Sequence, residues 1–235
     1  MDKTKTGVWI TGASSGIGKA AAIEFAKVGC KVFVSARRAA QLNILADDID
    51  ESQFEVYPCN VGSKTNVNQT VKKITAGNNI DCLVNNAGIT TFKPAEENTI
   101  KEIEDVINTN LLGSIYTIKA VLPYMIKNNG GTIINVLSVA ADKIFENSSA
   151  YTASKMGLLG YTNVLREEVR KYNIRVINIF PGATETAMWP KDAREKYSKR
   201  MMSPEGIARI MVSSFLHTDN LVTEEIVLRP VEGDI

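Results

Sequence analysis

"GVWITGASSGIGKA" (residues 7 to 20) decides how this chain is read. It begins as an apolar strand-like run over 7 to 12 and ends in a helical pattern, with Gly12, Gly16 and Gly18 at the junction. Glycine there permits a tight turn, lets the backbone approach a pyrophosphate and packs the helix close to the strand. The helix N-terminus adds N–H donors and the positive end of its dipole. A P-loop also ends in Gly-Lys, as Gly18-Lys19 does. Here, however, five residues rather than four separate Gly12 from Gly18, and Ala20 replaces the Ser or Thr that would hold Mg²⁺. The stretch is therefore read as a dinucleotide loop, with Gly12, Ser14, Ser15, Gly16, Ile17 and Gly18 as cofactor contacts.

Outward from this loop, short apolar runs alternate with helical patterns. The strand candidates are 7–12, 31–36, 54–59, 80–86, 132–138, 174–180 and 225–230, rich in Val and Ile and apolar on both faces, as buried parallel strands must be. Between them lie patterns such as Ile100, Ile103, Ile107 and Leu111, then Ile115, Ile118, Leu122 and Met125. The alternation predicts an α/β fold, a Rossmann-type doubly wound parallel sheet of about seven strands with helices on both faces. With no linker or repeat, residues 1–235 are read as one domain. The longest stretch that is neither clear strand nor core helix, Ala183 to Met202, follows a strand and precedes a helix opened by Ser203 and Pro204. It is the expected substrate lid over 183–202.

Composition narrows the function. The 27 basic and 26 acidic residues give a formal charge of +1, so no global field draws the chain to nucleic acid or anionic lipid. No signal-peptide pattern or long apolar run is present, and a cytoplasmic protein with neither nucleic-acid nor membrane partner is expected. Cys30, Cys59 and Cys82, widely spaced in or beside β-like runs, read as reduced core thiols. His217 is the sole histidine, expected at the surface at a helix end, so a His-based metal site or triad lacks material and no metal is expected.

The second strand pattern ends "SARR". Ala36 stands where an NAD enzyme carries an acid for the ribose 2′-hydroxyl, and Arg37 and Arg38 follow. Arginine meets a 2′-phosphate with forked charged hydrogen bonds, so NADP(H) is expected over NAD(H).

Further on stand "NNAG" at 85, Asn110 in "INTNLLG", Ser138 ending "INVLS", "YTASK" at 151 and "PGATET" at 181. With "TGASSGIG" at 11, these resemble, in order and spacing, the short-chain dehydrogenases/reductases of the Gly-x-x-x-Gly-x-Gly group over about three quarters of the chain. The resemblance implies carbonyl–alcohol interconversion by hydride transfer, with Asn110, Ser138, Tyr151 and Lys155 as the catalytic set. Reducing a ketone needs a proton for the developing alkoxide. A free tyrosine, with a pKa of about 10, is a poor acid/base near neutrality. Lys155, one helical turn from Tyr151, is expected to lower it. Ser138 holds the substrate oxygen; Lys155 also bonds the nicotinamide ribose. Asn110 disturbs its helix and holds a water in a relay to Lys155. The resemblance also places Asn86, Ala87 and Gly88 at the cofactor, Asn86 near the adenine ribose. Asn60, where many relatives have aspartate, faces the adenine beside Val61. Pro181, Gly182, Thr184 and Thr186 flank the nicotinamide or pyrophosphate. Relatives are commonly homotetramers, through helices here at about Thr99 to Lys127 and Ser149 to Tyr172; a homotetramer or homodimer is expected.

Met188, Trp189, Met201, Met202, Ile144 and Phe145 suggest either an apolar pocket for a modest ketone or acyl chain or residues that simply pack the lid down. Lys191, Arg194, Lys196, Lys199 and Arg200, against Asp192 and Glu195, make the lid basic, which could meet a carboxylate, although such a run is more often a solvated helix face. Two enzyme readings follow. One is a reductase of small carbonyls or 3-hydroxy acids, which the ending "EEIVLRPVEGDI" resembles. The other is a 3-oxoacyl-carrier-protein reductase, whose docking arginines are absent at Asn129 and Tyr172 although Lys127, Arg170 and Lys171 lie near. A non-catalytic dinucleotide sensor or scaffold is the third reading; it has no need of a proton donor.

Overall fold

A computed structural model describes residues 6–43, 45, 49–217 and 220–235. Seven strands form one sheet: β1 (Gly7–Thr11), β2 (Lys31–Ser35), β3 (Phe54–Val56), β4 (Cys82–Asn85), β5 (Gly131–Val136), β6 (Ile174–Pro181) and β7 (Glu225–Leu228). Every pairing is parallel and the order is β3-β2-β1-β4-β5-β6-β7. The helices are α1 (Gly16–Lys27), α2 (Ala39–Asn43), α3 (Lys64–Thr75), α4 (Ile100–Ile107), α5 (Gly113–Lys127), α6 (Ser149–Val169), α7 (Lys191–Tyr197) and α8 (Pro204–Leu216).

The sheet is apolar on both faces because both are covered. Val8, Ile10, Val32 and Val34 pack with α1 and α8 residues such as Phe25 and Phe215. The alternate residues Trp9 and Phe33 pack with Val71 of α3, Ile118 of α5 and Leu165 of α6. The order places the chain reversal between β1 and β4, where open α/β sheets form their ligand crevice. Cys30, Cys59 and Cys82 are buried. His217 caps the C-terminal end of α8 and is exposed.

All seven expected strands are present, but the third is shorter than its pattern. It ends at Val56 rather than Cys59, because Pro58 has no N–H for the ladder, although Cys59 still donates to Ala36 O at 3.0 Å. The long helical pattern from Ile100 divides into α4 and α5 around a π-helical turn, Asn108–Leu112. Segment 183–202 contains α7, which the sequence reading missed. KDAREKY buries none of its residues, so it has no apolar stripe to read. The segment's ends are clamped together: Met202 N–H donates to Ala183 O and Glu185 N–H to Met202 O, each at 2.9 Å.

Candidate active site

A cavity of about 710 Å³ lies over the carboxyl ends of the strands. Its floor begins at the glycine loop. Gly12 has φ +67°, and a Cβ there would come within 2.7 Å of Ala87 Cα. At Gly18 a Cβ would lie 2.4 Å from Asn86 Nδ2 and 2.5 Å from Gly12 O. The loop is stapled to the end of β4. Asn86 Nδ2 donates to Thr11 O and Gly12 O at 3.1 Å each, while Thr11 Oγ1 accepts the N–H groups of Asn86 and Ala87 at 3.1 and 3.2 Å. Both Asn86 amide hydrogens are thus spent on the loop, leaving Oδ1 for a ligand.

Of the residues expected to contact the cofactor, all but Gly18 line this cavity. Gly18 is buried behind the wall, where its role is the close packing of α1. Arg37 and Arg38 are exposed at the end beyond β2, and neither forms an ion pair among the described residues. Asn60 Oδ1 accepts the Gly62 N–H at 3.1 Å, fixing its own turn. Thr184 Oγ1 donates to Gly182 O at 3.0 Å, and the Thr186 methyl would lie 3.0 Å from a Cβ on Gly16.

Ser138, Tyr151 and Lys155 meet at the cavity wall; Asn110 does not reach it. Ser138 follows β5 in extended backbone, φ −171°, and its Oγ accepts the Ala140 N–H at 3.1 Å. A hydrogen bond joins its side chain to that of Tyr151. Lys155, one turn along α6, is buried and donates from Nζ to Val136 O at 2.7 Å, with Nζ 5.5 Å from the Tyr151 ring centre. Burial pushes the Tyr151 phenol up to about 12, the Ser138 hydrogen bond working the other way, and burial lowers Lys155 to about 8. This corrects the expectation that Lys155 makes the phenol acidic. In the protein alone burial sets the direction for the phenol, and the ammonium, itself disfavoured by burial, spends a donor on the Val136 carbonyl.

Asn110 is fully buried in the π-helical turn. Its Nδ2 donates to Ile89 O at 2.9 Å and Ser154 Oγ at 3.0 Å, and its Oδ1 accepts the Ile89 N–H at 2.9 Å. Ser154 Oγ in turn donates to Tyr151 O at 2.6 Å. The extra residue of the π turn aims this amide inward, where it ties the segment after β4 to α6. No hydrogen bond joins Asn110 directly to Lys155 among the described residues.

Among the wall residues that the sequence reading did not place in the site are Phe92, Glu146, Asp234 and Ile235. Phe92 stacks on Trp189, ring centres 5.6 Å apart at 29°. None lies in a motif, and Asp234 reaches the cavity only because the tail after β7 turns back over it. Among the described residues no group of three or more His, Cys, Asp or Glu could hold a metal ion, and no helix is long and apolar enough to cross a membrane.

A family model described as short chain dehydrogenase matches residues 6–197. Sepiapterin reductase of Chlorobaculum tepidum is 35% identical over 236 residues, 96% of either chain. A metagenomic short-chain oxidoreductase solved in complex with NADP superimposes with TM-score 0.86 at 27% identity, over 98% of this chain and 99% of that one. An alcohol dehydrogenase from the archaeon Thermococcus sibiricus, complexed with 5-hydroxy-NADP, superimposes with TM-score 0.87 at 26% identity, over 96% and 97%.

Proposed function

The chain belongs to the short-chain dehydrogenase family and is an oxidoreductase; from that premise we propose that it is an NADP(H)-dependent reductase of ketones or aldehydes. The single observation that carries the reading is the meeting of Ser138, Tyr151 and Lys155 at the wall of the cavity that the glycine loop floors. The cofactor fits residues of this chain. A Cβ would fill the close approach at Gly12, and Arg37 and Arg38, in no ion pair among the described residues, offer cations for a 2′-phosphate. Two solved relatives carry NADP or a derivative of it.

When bound, the nicotinamide supplies the hydride. Tyr151 gives its phenolic proton to the carbonyl oxygen that becomes the alcohol, and the same group takes a proton in the reverse direction. Ser138, hydrogen-bonded to Tyr151, holds that oxygen against the phenol. Lys155 keeps a positive charge near the ring and is placed by Val136 O. Asn110 positions Ile89 and, through Ser154, the first turns of α6.

We read residues 1–235 as one domain with a lid over 183–202, working in the cytoplasm as a homotetramer or homodimer. Exposed Ile100, Met156 and Val164 on α4 and α6 support assembly through those helices. A sensor or scaffold has less support, since it needs no proton donor beside its cofactor. The carrier-protein reading lacks arginines at Asn129 and Tyr172. The name of the sepiapterin reductase relative adds a substrate candidate, a ketone borne by a flat ring, and the stacked Phe92 and Trp189 favour it.

The test is NADPH oxidation with sepiapterin and a panel of small ketones. Tyr151→Phe should lose at least about a hundredfold in kcat, the scale of one proton-transfer group, while NADPH binding is kept. Activity unchanged in that variant would refute the mechanism.

A further inference from the structure

Asparagine takes the left-handed backbone at four described positions, Asn129, Asn147, Asn173 and Asn220, with φ between 50° and 63°. All four are exposed. The residue that follows is Ser148, Ile174 or Leu221 at three of them and Gly130 at the first. No other asparagine of the chain precedes a glycine. A side chain on the following residue crowds its backbone nitrogen, whereas glycine leaves that nitrogen open to the asparagine's own amide. Packing does not demand a glycine here: a Cβ built on Gly130 meets nothing within 4 Å.

Asparagine is among the chemically labile residues, and this pairing gives it a route. The Gly130 nitrogen attacks Cγ of Asn129 and forms a C–N bond. The Cγ–Nδ2 bond breaks, and ammonia leaves with the proton of the attacking nitrogen, which closes a cyclic imide. Water then opens the ring at either carbonyl, to aspartate or to isoaspartate. No oxidant or cofactor takes part.

The fold holds the attacking nitrogen back. Residues 125–130 end α5 in a doubly bonded turn: the Gly130 N–H donates to Met125 O at 3.1 Å and the Asn129 N–H to Ile126 O at 3.0 Å. The proton that ring closure must displace is therefore fixed on a carbonyl. Met125 is itself buried, and Gly131, the first residue of β5, lies against it: a Cβ there would come within 2.7 Å of Met125 Cγ and Sδ. Ring closure needs this turn to open.

We propose that Asn129 is a deamidation site governed by the C-terminal cap of α5. The closed cap protects the amide, and each opening exposes it to ring closure. The product is a one-way record of how often this end of the helix has opened. It also keeps the cap from closing as before, because it places a carboxylate at the negative end of the helix dipole, and isoaspartate adds a carbon to the main chain inside the turn.

The full chain, aged in mildly alkaline buffer, is mapped by mass spectrometry, and isoaspartate is counted by methyl transfer from S-adenosylmethionine with isoaspartyl methyltransferase. Asn129 should convert before any other asparagine, yet about tenfold more slowly than in a free peptide of residues 122–134, the ratio that one or two cap hydrogen bonds make. Urea below the unfolding midpoint should close that gap in the chain and leave the peptide's rate unchanged. Gly130→Ala, which fits without a clash, should suppress conversion in chain and peptide alike. Asn129→Gly keeps the left-handed turn, removes the amide and should leave this stretch without any change in mass. Equal rates in chain and peptide, or a chain rate indifferent to urea, overturns control by the cap. Conversion led by another asparagine, undiminished in Gly130→Ala, or absent from the chain even in urea overturns the site.

Discussion

Tyr151 and Lys155 are each shifted by burial toward the uncharged form, the phenol up to about 12 and the ammonium down to about 8. The sign matters for direction. A phenol at about 12 keeps its proton at every ordinary pH, so of these two groups only the Lys155 ammonium titrates near neutrality. Lys155 holds its charge below about 8 and loses it above. The kcat/KM for ketone reduction should therefore be level below pH 8 and decline as pH rises through about 8; a profile still level beyond that range would show that Lys155 does not titrate there. The same shift links to stability: the unfolded chain binds the Lys155 proton up to 10.5 and the folded chain only to about 8, so this group's contribution to stability rises with pH between those values.

At the scale of elements, the site is held by polar groups that cross from strand to strand. Asn85, Asn135 and Asn178 stand in register on β4, β5 and β6, buried, each donating to the next at 3.1 Å. Thr117 of α5 donates into one end at 2.6 Å, and Asn163 of α6 accepts at the other at 3.4 Å. The ladder lies one residue below Asn86, which staples the glycine loop, and below Val136, whose carbonyl holds Lys155. Replacing Asn135 with Leu leaves Asn85 Nδ2 and Asn178 Oδ1 buried without partners. It should cost about 3 kcal/mol in urea unfolding, from two orphaned groups at about 1–3 kcal/mol each. A loss below about 1 kcal/mol would mean that the ladder contributes little.

For the whole molecule, the parallel sheet sets what the cavity can join. Strand order β3-β2-β1-β4-β5-β6-β7 brings the end of β2 and the tail after β7 to opposite ends of one cleft, with Ser138 and Tyr151 between them. Arg37 and Arg38 stand at the first end. The wild type should use NADPH in preference to NADH, and Arg37→Asp should erode the ratio of the two kcat/KM values by about tenfold or more, from loss of a charged hydrogen bond to the 2′-phosphate and introduction of a like charge. A wild-type preference for NADH would end that assignment.

Local pattern was enough for the sheet, the glycine loop, the two arginines and the tyrosine–lysine pair, because each is written in contiguous residues whose period or spacing has a physical meaning: two-sided apolar runs for parallel strands, glycines where a Cβ would collide, one helical turn between Tyr151 and Lys155. Tertiary structure decided the rest. Whether Lys155 acidifies Tyr151 depends on desolvation, which no spacing reveals. Which of the two readings of the basic lid holds, a carboxylate site or a solvated face, depends on where its bases point: none lines the cavity, and Lys191 and Arg200 pair with Glu195 and Glu232. Asp234 reached the substrate wall by a turn of the tail after β7. Burial and charge pairing arise between residues far apart in the chain, so they are properties of the packed molecule and not of any stretch within it.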